Sequence, residues 1–210
     1  MPARLVFADS EAAADLLTFA ARAARLDDGL VHLRAGGGAL AMSCAALTAL
    51  GLMDSTPTVL GMRVLPIDPE LECDLVVQAS ALSADGADAV ALPASATRTA
   101  WAGIAPPRTG WTPVGELAAS VLAARAQHGM ASVAHAVPDA AGEEAVRAVR
   151  SRIWGAPDDD LLGLPAGVAF AAFALGFIHG DEAATVRATG VWTRISLQRG
   201  HVLVRRRAVS

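Results

Sequence analysis

The 210-residue chain contains no lysine, no tyrosine and no asparagine. The missing lysine excludes a phosphate-loop lysine, a Schiff base to pyridoxal phosphate or to a carbonyl substrate, and a kinase-type catalytic lysine. All 17 basic residues are therefore arginine, a bias that GC-rich coding accounts for. Cysteine is scarce. Cys44 and Cys73 stand apart with no CxxC, which reads as two small apolar groups in a reducing compartment rather than a disulfide or metal framework. Charged residues reach only 18% and apolar residues 53%; a disordered chain would show the opposite balance.

Catalytic and metal signatures are sparse as well. The five histidines, His32, His128, His135, His179 and His201, form no HExxH and no i,i+4 pair, so no metal and no cofactor are expected. No serine sits in GxSxG or SxxK. Gly36-Gly37-Gly38 lacks the GxGxxG that would make it a phosphate cradle, and reads as a hairpin turn. Asp158-Asp159-Asp160 lacks the spacing of a calcium loop and reads as a solvated charge run.

One long apolar stretch exists. Leu161 to Ile178, "LLGLPAGVAFAAFALGFI", holds no charge. Pro165 and three glycines interrupt it, and acids flank it on both sides, so a buried helix is expected rather than a membrane span. Met1-Pro2-Ala3-Arg4 leads into a short apolar trio and then Asp9, without a signal-peptide core. A cytoplasmic location is the expectation.

Periodicity fills in the rest. "SEAAADLLTFAARAARLDD" from Ser10 has the spacing of an amphipathic helix. Short alternating runs then surround the glycine triplet as a hairpin, and residues 57 to 92 keep to period two with a turn at Asp85-Gly86, as an antiparallel meander does. After Trp101 the pattern turns helical: Thr112 as a cap, Pro113 in a first turn and a stop at Gly129, then a second helix from Asp139 to Gly155, then a third around Pro165. Three short strands close the chain. The fold class expected is α+β: an N-terminal helix with an antiparallel meander, then a helical part ending in a C-terminal β-hairpin. Residues 1–100 would form the first lobe, 101–112 a connecting strap, and 113–210 a three-helix lobe with the hairpin. In the strap, "WAGIAPPRTGW", Trp101 and Trp111 would pin the two ends.

Charge is segregated. Residues 1–182 carry 11 arginines against 21 acids, whereas from Ala183 onward there are six arginines and no acid. An acidic body with a basic hairpin points to a protein contact, and nucleic acid is disfavoured because the whole chain is not basic. The binding residues expected are Trp192, Arg194, Arg199, Arg205, Arg206 and Arg207. The partner would be another protein or a second copy, with a homodimer as one form.

"PPRTGW", "LPAGVAFAAFALGFI" and "VRATGVWTRISLQRGHVLVRR", in that order, resemble a family of signature proteins of unknown function restricted to actinobacteria. The resemblance implies a cytoplasmic, lineage-specific protein and brings no established active site. The leading reading is thus a binding or adaptor protein without catalytic activity. An alternative is an enzyme or small-anion binder with a cleft between the lobes, lined by Arg108, Trp111, His179 and Asp181; arginine would grip an anion and tryptophan would stack on a ring. A further alternative is a secretion-associated chaperone.

Overall fold

A computed structural model describes residues 4–49, 51, 54–138 and 140–206. In chain order the elements are β1 (Arg4–Val6), α1 (Ser10–Ala23), β2 (Leu30–Gly36), β3 (Ala39–Leu47), β4 (Thr58–Pro66), β5 (Cys73–Gln78), β6 (Ser83–Ala84), β7 (Ala89–Ala91), β8 (Thr112–Ala118), α2 (Ala119–Ala136), α3 (Glu143–Gly155), β9 (Pro157–Asp158), β10 (Leu164–Pro165), α4 (Gly167–Ala174), β11 (Ala183–Thr189), β12 (Trp192–Leu197) and β13 (Gly200–Arg205). The fold is α+β, with an N-terminal helix, antiparallel strand pairs and a C-terminal hairpin. The chain forms two compact units, residues 4–45 with 62–105 and residues 46–61 with 106–206.

In the first unit, Asp9 caps α1 by accepting the Ala12 N–H at 2.8 Å, one residue ahead of the expected start at Ser10. The helix buries Ala12, Leu16, Phe19, Ala20 and Ala23. Between β2 and β3, Gly37 and Gly38 both adopt positive φ, 62° and 81°. That is what a two-residue primed turn demands, and it explains the glycine triplet without any ligand. β2 pairs with both β3 and β5. Trp101 is buried here, and its indole N–H donates to Asp28 Oδ2 at 2.8 Å.

In the second unit the sheet runs β13-β12-β11-β8. Here the structure corrects the expected helix start: Thr112 and Pro113 belong to a strand, and α2 begins only at Ala119. β8 lies at the end of this order, so proline's missing N–H is tolerated there. A bulge between Val186 and Arg187 of β11 accommodates the register. Gly129 is not a stop either. It lies inside α2, where a Cβ would come within 2.1 Å of the Trp154 ring. Glycine is required by close packing, not by helix termination. Trp154 also stacks on Phe170 of α4, centroids 4.7 Å apart.

The second helix, α3, begins at Glu143; the expected start at Asp139 lies outside the described residues. The apolar run around Pro165 is not one long helix. It contains β10, then the eight-residue α4, then a loop beginning near Gly176, whose φ is 67°. Among the described residues no helix is long and apolar enough to cross a membrane. Neither Cys44 nor Cys73 is in a disulfide. Cys44 is buried as expected, while Cys73 is half-buried and its thiol pKa is raised, chiefly by that burial.

Candidate functional site

The register of β11, β12 and β13 sets which side chains share a face. Arg194 stands directly opposite Arg187 on β11 and Leu203 on β13, and Trp192 stands opposite Arg205. Side chains alternate along a strand, so Arg187, Trp192, Arg194, Leu203 and Arg205 project from the same side. The other side is taken by the helical layer: a Cβ on Gly200, opposite Leu197, would strike the Phe177 ring that follows α4, at 2.5 Å. The arginines therefore stand on the face turned away from Phe177. Trp192 and Leu203 form its buried floor, at 5% and 1% exposure.

Two features of this face are energetically unfavourable for the isolated chain. Arg187 and Arg194 are like charges directly opposed across a strand pair, an arrangement that costs about 0.2–1 kcal/mol. The Nε atoms of Arg194 and Arg205 are buried and have no hydrogen-bond partner among the described residues, which carries a desolvation cost. Burial, and then the Arg187 charge, pulls the Arg194 pKa below its ordinary value. Partly offsetting this, the Arg194 guanidinium lies 4.6 Å from the centroid of the Trp111 ring, a cation–π contact. Trp111 is itself fixed by its indole N–H, which donates to the Pro107 carbonyl at 2.9 Å. His201, on the same face, bonds Ser196 Oγ through Nδ1 at 3.0 Å. Its pKa is lowered by burial first and by Arg194 second.

Not every expected residue joins this cluster. Arg199 is exposed in the β12–β13 turn, and Arg206 follows β13, exposed, with its N–H bonded to Val191 O. Arg207 lies outside the described residues. Trp192 is floor rather than contact surface. Of the four residues expected to line a cleft, Trp111 meets Arg194, whereas Arg108 is exposed in the preceding loop. His179 and Asp181 are exposed in the loop before β11. α4 stops at Ala174, so His179 lies in the loop beyond it.

Several polar groupings escaped the sequence reading. In the first unit His32 Nε2 lies 2.6 Å from Asp74 Oδ1. Their meeting depends on the β2–β5 register, which puts His32 and Asp74 on one face. Asp74 is 67% exposed, so this is a solvated pair. In the second unit Arg125 Nε bonds the Asp158 carboxylate at 2.6 Å, and Asp158 is 7% exposed. The aspartate run is thus partly an ion-paired core element rather than wholly solvated. A groove of about 490 Å³ lies between Asp54–Pro57 and the α3 residues Ser151 and Arg152. The Asp54 carboxylate there is engaged by the Thr56 N–H and hydroxyl. Among the described residues, no three His, Cys, Asp or Glu side chains converge as a metal site.

Residues 1–103 match a domain of unknown function, DUF8010, and residues 106–209 match a second, DUF8185. Each match covers just under half of the chain. No curated protein matches it. Its fold is similar to bacterial DNA polymerase III beta subunits in three crystal structures. The first is a candidate beta subunit of Eubacterium rectale ATCC 33656, with TM-score 0.54 and 7% identity. The second is the sliding clamp of Bartonella birtlesii bound to griselimycin, at 0.51 and 13%. The third is the clamp of Caulobacter crescentus, at 0.50 and 11%. The alignments cover 99%, 99% and 100% of this chain but only 66%, 65% and 66% of those chains, just under two thirds of their length. At such identities the likeness is one of fold.

Proposed function

We propose that this chain is a cytoplasmic binding or adaptor protein of clamp-like fold, belonging to an actinobacterial family and acting without catalysis. Its docking surface is the β11–β13 face that carries Arg187, Arg194 and Arg205. One observation carries this reading: three arginines share that face, and two of them keep buried Nε atoms without a hydrogen-bond partner among the described residues. Such groups are retained at a cost in stability, which is characteristic of sites shaped by binding rather than by folding. The fold likeness supports the reading in a general way, since the neighbours are named as clamps and subunits. A partner protein is favoured over nucleic acid because the net charge is −4, and a homodimer would present acidic surface to the same face.

The test compares the wild-type chain with the triple variant Arg187→Gln, Arg194→Gln, Arg205→Gln as bait in its native cytoplasm, using cross-linking and mass spectrometry. Loss of one reproducible partner with retained fold supports the proposal. Equal capture by both baits refutes it. The second reading, a small-anion binder, is favoured by the Trp111–Arg194 stack; a ligand released on denaturation in native mass spectrometry would establish it.

A further inference from the structure

We infer that the arginine face recognises an extended acidic segment of a partner protein, with two carboxylates two residues apart seated on Arg194 and Arg205. The inference rests on the reading of this face as a docking surface and adds the chemistry of what docks.

The spacing comes from the sheet itself. Arg194 is paired with Leu203, and Arg205 lies two residues further along β13, paired with Trp192. Such diagonal neighbours on one face stand about 7–8 Å apart. An extended peptide repeats same-side residues every two positions, at about 6.7 Å. Two acidic side chains at i and i+2 therefore fall on the two arginines, and guanidinium stems absorb the remaining difference. Adjacent acids would point to opposite sides, and only one could be used.

The hydrogen-bond chemistry matches as well. A carboxylate engages arginine best through a pair of parallel N–H groups, and the two outer Nη groups are one such pair. In Arg194 and Arg205 the Nε is buried and has no hydrogen-bond partner among the described residues, which leaves the outer Nη pair of each for an incoming carboxylate. Arg194 is further held by the Trp111 ring, itself tied to the Pro107 carbonyl, so little orientational freedom remains to be lost on binding. Arg187, directly opposite Arg194, adds positive potential where the first carboxylate would sit.

Charge limits the length of the occupant. The arginines of this face are a local surplus, since the chain as a whole carries a net charge of −4. A short acidic segment gains from the cluster, whereas a long polyanion running beyond it meets repulsion.

Fluorescence anisotropy on the full chain tests this with four probes of stated chemistry. They are labelled peptides containing Glu-Ala-Glu, Glu-Glu-Ala or Gln-Ala-Gln in one common neutral frame, and a single-stranded oligonucleotide. The Glu-Ala-Glu peptide is expected to bind about ten- to a hundredfold tighter than the other two peptides. Arg194→Gln and Arg205→Gln should each remove most of that difference, with circular dichroism unchanged. Arg205→Lys should not restore it, because an ammonium cannot form the fork. Equal binding of the two glutamate peptides overturns the inference, as does tighter binding of the oligonucleotide. If no peptide binds but the triple variant still loses its partner, the docking surface stands and the acidic segment falls. If neither changes, both fall.

Discussion

Arg194 packs its guanidinium 4.6 Å from the centroid of the Trp111 ring while standing directly opposite Arg187. One neighbour attracts the cation and the other repels it. On sequence grounds Trp111 and Arg194 belong to two different candidate sites, and the sheet order β12-β11-β8 brings them to one place.

This opposition has a consequence for stability. Replacing Arg194 with glutamine removes a cation–π contact of about 0.5–1 kcal/mol. It also removes a like-charge pair of about 0.2–1 kcal/mol and a buried Nε that has no partner among the described residues. Thermal unfolding should show a change close to zero. Because salt screens the repulsion, raising ionic strength should stabilise the wild type more than the variant. Equal salt responses would show that Arg187 and Arg194 do not interact.

Gly129→Ala offers a sharp sign test. In an exposed helix interior this change stabilises by about 0.8–1 kcal/mol. Here the new Cβ would lie 2.1 Å from Trp154, so overpacking of about 1–3 kcal/mol should dominate. Chemical denaturation should give a lower midpoint, and in a double-mutant cycle with Trp154→Leu the penalty of Gly129→Ala should shrink.

Asp158 is 7% exposed and paired with Arg125, which is 30% exposed. Removing one partner of a fully buried pair costs about 3–5 kcal/mol. The partial exposure of Arg125 reduces this, and Arg125→Met should cost about 1–3 kcal/mol. Adding Asp158→Asn to it should recover stability, because the unpaired charge is then gone. A double-mutant cycle measured by urea unfolding reads both numbers.

His201 makes stability depend on pH. Its pKa falls below the ordinary value of about 6.5 on folding, because of burial and then Arg194. Between the folded and unfolded values the unfolded chain binds more protons, so stability rises with pH. The contribution is complete above about 6.5 and is lost as pH falls toward the folded value. Melting temperatures between pH 7.5 and 5.5 should therefore drop more for the wild type than for His201→Gln. Parallel curves would remove His201 from the account.

Much was legible in the sequence where the signal is local. Positive-φ glycines at 37 and 38 turn β2 into β3 through a bend set by two residues, and α1 follows from its apolar spacing and its acidic cap. The terminal strands and the gathering of arginine beyond Ala183 could be read directly as well. Thr112–Ala118 misled because threonine, proline and the following apolar residues imitate a helix start, and only pairing with β11 makes them a strand. Gly129 misled in the same way, because the ring that requires it belongs to another helix.

What the sequence by itself determined is thus the class of fold, the local turns and the charge asymmetry, all of which depend on neighbours a few residues apart. The tertiary structure decided that residues 46–61 join the second unit, that Asp158 is an ion-paired core carboxylate, and which arginines share a face. Arg187, Arg194 and Arg205 form a cluster whereas Arg199 and Arg206 stay outside it, because side-chain direction in a sheet is set by strand register. Register is a relation between distant segments, and no stretch of chain carries it alone.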